Sequence, residues 1–141
     1  MLTTLEKVDL LRKASLFEAI PTESLTRLAA VTQETSFRAR EPLFQENTPA
    51  GALFVLVEGQ VELLRGGKHI QKQGAYQAVG ALPLLAEQPY PESAVASQPV
   101  RALRIERHEL YEAMSEDFRT TRGILRTLSR LAAGPDQVSS L

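Results

Sequence analysis

Between Thr35 and Ile105 the apolar residues come only in short runs, cut by Gly51, Gly59, Gly66-Gly67, Gly74, Gly80 and a scatter of prolines. Glycine weakens and proline ends a helix, so breakers at this density leave no room for one of ordinary length. Short strands joined by tight turns remain, at roughly ten-residue spacing. That pattern predicts a β-sandwich or barrel.

Phe37 and Pro42-Leu43-Phe44 mark two short strands, and residues 45–51 a polar turn. Ala52-Leu53-Phe54-Val55-Leu56-Val57 is a near-continuous apolar run between turn signals, as expected of a strand buried on both faces. Val61 and Leu63 alternate with Gln60 and Glu62, the mark of a half-buried strand. Gly66-Gly67 is a two-residue hairpin signal. Lys68–Lys72 returns from it with Ile70 as its one strong hydrophobe. Val79–Glu87 reads as a turn and one helical turn, with Pro83 suited to the first helical position. Ser93–Ala96 and Val100–Ile105 complete about eight strands.

The period changes at both ends. Thr3 and Glu6 form a capping box opening a helix to Lys13, with Leu2, Leu5, Val8 and Leu11 as one stripe. A second helix starts at Pro21-Thr22-Glu23, where Thr22 can cap and Leu25, Leu28 and Ala29 share a face. Helical period returns from Glu106 to Ala133, with Glu116-Asp117 near a helix start and Gly134-Pro135 as a stop. The expectation is one domain over 1–133, mainly β with flanking α, its last helices packing on the barrel, and a flexible tail over 134–141.

Charge and composition exclude several functions. A net charge of -1 gives no general attraction to nucleic acid or anionic lipid. With no cysteine there is no disulfide, thiol nucleophile or thiolate metal site. No apolar run is long enough for a membrane span, and Glu6, Lys7 and Asp9 interrupt any secretory pattern, so a cytoplasmic location without membrane insertion is expected. His108-Glu109-Leu110-Tyr111-Glu112 lacks the second histidine a zinc-protease helix needs, and a surface His108–Glu112 pair is expected instead. His69 stands alone in its strand. No catalytic residues and no metal site are assigned. Arg119, Arg122, Arg126 and Arg130 read as a solvated cationic stripe favourable near a helix C-terminus. The series Phe118, Thr121, Leu125, Leu128, then Leu131 or Ala132, is either core against the barrel or a dimer seam.

In this order, over nearly the whole chain, the residues resemble the cyclic nucleotide-binding domain family. Leu10–Phe17 resembles its opening elbow. Leu43–Asn47 followed by Ala52–Leu63 resembles its core, and Leu103–Tyr111 its closing strand and helix. The resemblance implies a double-stranded β-helix, or jelly-roll barrel, and a non-enzymatic regulatory module with cAMP or cGMP as ligand. It also implies a homodimer through the C-terminal helix. The family's transcription factors add a DNA-reading unit after that helix; with the sequence ending at Leu141, direct DNA binding is not expected.

The resemblance also locates a vestigial cassette at Val79, Gly80, Ala81, Leu82, Tyr90, Glu92 and Ser93. In the family a short helix and glycine N–H groups cradle the cyclic phosphate, an arginine neutralises it and a glutamate takes the ribose hydroxyl. Gly80 matches, either as that cradle or as a turn glycine. Ala81 stands where the glutamate belongs, and the arginine position falls on Tyr90 or, in a register shifted by two, on Glu92. Between Lys72 and Arg101 there is no Lys or Arg. Losing both contacts removes roughly 3–6 kcal/mol, enough to turn a micromolar ligand millimolar. Weak or lost nucleotide binding is therefore expected, with a degenerate copy used for protein–protein contact or dimerisation as the alternative. An arginine from elsewhere, Arg65 or Arg104, reaching the barrel mouth would overturn that expectation.

Overall fold

The computed structural model describes residues 1–133. The expected tail and the Gly134-Pro135 stop lie outside the described residues. Helix α1 spans Thr4–Lys13 and α2 Thr22–Ala30, with a 3₁₀ turn at Ser15–Phe17 between them. Eight strands follow: β1 Gln33–Phe37, β2 Pro42–Phe44, β3 Ala52–Glu58, β4 Val61–Arg65, β5 Lys68–Gln73, β6 Ala78–Val79, β7 Ser93–Ala96 and β8 Val100–Glu106. A short helix, α3 (Ala81–Leu85), interrupts them after β6, and α4 (Arg107–Glu116) and α5 (Phe118–Ala132) close the described chain. Among the described residues no helix is long and apolar enough to cross a membrane.

The strands form two four-stranded sheets, ordered β1-β8-β3-β6 and β2-β7-β4-β5, and every pairing is antiparallel. This is the expected jelly roll. The apolar run of β3 serves two interiors because successive side chains leave opposite faces of a strand. Leu53 and Val55 join Leu103, Ile105 and the helices in one core. Ala52, Phe54 and Leu56 join Val61, Leu63, Val79 and Ala94 in a second core between the sheets. After β3 the chain turns at Gly59, whose φ is +98° and where a Cβ would lie 2.4 Å from the Pro99 carbonyl oxygen. Only glycine fits there.

The Thr3–Glu6 capping box is present, each side chain accepting from the other's backbone N–H. Elsewhere the ends of helices differ from expectation. Leu5 is 80% exposed, while Val8 and Leu11 carry the buried stripe of α1. Pro21, not Thr22, holds the N-cap of α2 without a side-chain bond. Its fixed φ already suits entry to a helix, and the Thr22 hydroxyl instead accepts from Arg12 Nη2 at 3.0 Å. Pro83 lies third in α3, after Ala81 and Leu82. It is tolerated there because no N–H of the first turn has an intrahelical acceptor.

Helices α4 and α5 are separated by the single extended residue Asp117. Its buried carboxylate caps α5 through the Arg119 N–H (3.0 Å) and accepts from the Ser24 hydroxyl (2.6 Å) and Arg119 Nε (3.1 Å). These bonds, the Arg119 side chain first and then Ser24, hold its pKa down at about 2. Helix α5 packs chiefly on the 3₁₀ turn, α4 and α2 rather than on the strands. It buries Thr120, Gly123, Ile124 and Thr127, with Gly123 so close that a Cβ would meet Ile20 Cγ1 at 2.7 Å. Of the series expected as core or seam, Phe118, Leu125 and Leu131 are exposed, whereas Leu128 is half-buried and packs against the core. Of the cationic stripe, Arg119 and Arg130 pair with Glu23 and Glu18.

Candidate functional site

A cavity of about 210 Å³ opens where β4 and β5 meet the β6–α3 segment, the position expected for the cassette. Gly80 is the hinge of its wall. It has φ +83° and caps α3, and a Cβ would lie 2.9 Å from Phe44 Cε2 and 3.2 Å from Tyr90 Cε1. The glycine is required by the turn and by ring packing, independently of any ligand.

Four of the expected residues, Gly80, Ala81, Leu82 and Glu92, line the cavity. Ala81 offers only a buried methyl, and Leu82 stands at the rim, 61% exposed. The other three do not line it. Val79 is buried and pairs with Phe54 across β6–β3. Ser93 Oγ accepts from the Glu46 N–H at 2.9 Å. Tyr90 is a core residue: its ring stacks on Phe44 with centroids 3.8 Å apart and planes at 7°. Its hydroxyl donates to the Ala52 carbonyl (2.6 Å) and accepts from the Ala52 N–H (3.1 Å).

Glu92 is the only charged residue on the described lining. Its side chain is 19% exposed, and Arg65 Nη2 reaches it at 3.7 Å from a side chain that is 60% exposed. Arg65 is not itself on the lining, so its charge answers a carboxylate and is not presented to the cavity. Arg104 packs over the Phe54 ring, pairs with Glu106 and does not line the cavity.

Sequence reading missed the floor of the cavity: Phe44, Leu63, Gln71 and Gln73. The last two are two apart on β5 and so share a face, a signal hidden by the strand's low hydrophobicity. Gln73 Oε1 is shielded from solvent and has no hydrogen-bond donor among the described residues. Outside the cavity, His108 pairs with Glu106 (3.4 Å) and Glu109 (3.3 Å) and not with Glu112. His69 lies 3.9 Å from Glu62.

The family model for the cyclic nucleotide-binding domain matches residues 34–117. The chain belongs to that family. Solved structures agree in fold. The N-terminal domain of a transcriptional regulator from Streptomyces coelicolor superposes on this cyclic nucleotide-binding domain with a TM-score of 0.81 at 26% identity, over 91% of this chain and 96% of that one. A candidate cyclic nucleotide-binding protein from Ruegeria pomeroyi gives 0.82 at 23% identity over 99% of this chain, which spans 65% of that protein's length. The regulatory subunit of a cAMP-independent protein kinase A from Trypanosoma brucei gives 0.78 at 17% identity, over 94% of this chain and 46% of that one. None of the curated proteins matches the chain.

Proposed function

We propose that this domain is a non-enzymatic regulatory module that has lost cAMP and cGMP binding and acts through protein contacts. Glu92 on the cavity wall carries the reading, because a carboxylate repels the phosphate that an arginine would neutralise. Ala81 supports it by leaving the ribose hydroxyl without its acceptor. The cavity, at about 210 Å³, is also below the roughly 300–1,000 Å³ of ordinary ligand pockets. A neighbour named as cAMP-independent carries the same fold, so fold and cAMP response are separable.

The contact surface this reading favours is α5. Phe118, Thr121, Leu125, Leu128 and Ala132 recur at alternating spacings of three and four, the seam of a coiled coil. Phe118 and Leu125 are more than half exposed, while Thr121, Leu128 and Ala132 are half-buried at the edge of the packed face. A homodimer through α5 follows. Direct DNA reading, catalysis and membrane insertion form no part of the role, and the cytoplasm is the location it assumes.

Thermal unfolding with millimolar cAMP, cGMP and cyclic dinucleotides tests the loss. No shift is expected. A ligand at a hundred times its Kd stabilises by about 2.7 kcal/mol, or roughly 6–10 °C at this size, and a rise of that order would overturn the reading. Ala81→Glu combined with Glu92→Arg should create a nucleotide-dependent shift.

A further inference from the structure

The cavity joins a lone carboxylate on its lining to an unmet amide oxygen, and that combination specifies a ligand. Resting on the loss of nucleotide binding above, we propose that it binds a small cationic donor, an amidinium, guanidinium or primary ammonium on a compact apolar body. Two acceptors define the polar end. Glu92 contributes a carboxylate on the wall, only 19% exposed. Gln73 contributes an amide oxygen that is out of solvent and has no donor. An unmet buried acceptor is costly, so a ligand N–H that meets it gains what the free domain forgoes. Phe44, Leu63 and Ala81 supply the apolar end.

Size and counter-charge agree with this class. A volume of about 210 Å³ leaves room for a one-ring or short-chain amine. Arg65 is the resident counter-ion, but at 3.7 Å from a side chain 60% exposed it holds Glu92 loosely and is displaceable. The bound cation would take its place on the carboxylate with closer, better-shielded hydrogen bonds.

The test is thermal unfolding and calorimetric titration of the full chain with benzamidine, putrescine and guanidinium chloride, with inorganic phosphate and cAMP as anionic controls. Saturable binding of at least one cation is expected. Glu92→Gln, which keeps shape and removes charge, should weaken it about ten- to a hundredfold. Arg65→Ala should tighten it by removing the competitor. No saturable cation binding by either the natural chain or Arg65→Ala, with far-UV circular dichroism intact, would overturn the proposal and leave the lost-nucleotide reading standing. So would cation binding that survives Glu92→Gln unchanged. Binding of cAMP would instead overturn both.

Discussion

Tyr90→Phe isolates the role of a residue that stands at one candidate arginine position. The substitution keeps the ring stacked on Phe44 and deletes only the hydroxyl. That hydroxyl serves both backbone groups of Ala52, which is buried at 4% exposure. Each orphaned group costs about 1–3 kcal/mol, so a loss of about 2–4 kcal/mol is expected for the pair. With a urea slope of ~2 kcal/mol per molar, the unfolding midpoint should fall by roughly 1–2 M. Tyr90→Arg should do worse, because it drives a guanidinium against Phe44 in the core, and an unpaired buried charge prevents folding. Glu92→Arg, at a partly open wall, should cost less, about 1 kcal/mol for the lost Arg65 contact. Equilibrium urea unfolding followed by circular dichroism reads all three. A Tyr90→Phe loss below about 0.5 kcal/mol, or a well-folded Tyr90→Arg, would refute the assignment of Tyr90 to the core and of Glu92 to the cavity.

Gly59→Ala should destabilise by about 2–5 kcal/mol, since a Cβ there meets the Pro99 carbonyl oxygen and the φ is left-handed; chemical denaturation measures it. Asp117, held at about 2 against an ordinary 3.8, has a lowered folded-state pKa. Its contribution is therefore full above about pH 5 and drains away as the pH falls toward 2. Asp117→Asn should flatten that part of the stability–pH curve, and a curve of unchanged slope would remove the residue from the account. Leu125→Asp should turn a dimer into a monomer by sedimentation velocity without lowering the monomer's own unfolding midpoint, because the side chain is 53% exposed. A parent chain that is monomeric at high concentration would rule out the α5 seam.

The barrel was legible because period-two patterning and turn residues act locally. Ala52–Val57 announces a strand with two buried faces, and Ser93–Ala96 and Val100–Ile105 fall where expected. The site was less legible because it depends on contacts far apart in sequence. Nothing near Tyr90 in the chain reveals that Phe44 lies beneath it or that Ala52 takes its hydroxyl. Choosing between Tyr90 and Glu92 as the wall residue needs those contacts. Helix α5 was left open between core and seam for a related reason. Ile124 and the small residues Thr120, Gly123 and Thr127 make the intimate contact with the rest of the domain, while Phe118, Leu125 and Leu131 face outward. Hydrophobic size alone does not pick the packed face.

Strand β3 is a wall common to two rooms, with Leu53 and Val55 on the helical side and Phe54 and Leu56 on the side between the sheets. Neither room can be opened alone: separating the sheets at Phe54 shifts the same backbone on which the helices rest. The helical layer and the sandwich are therefore expected to melt in one step.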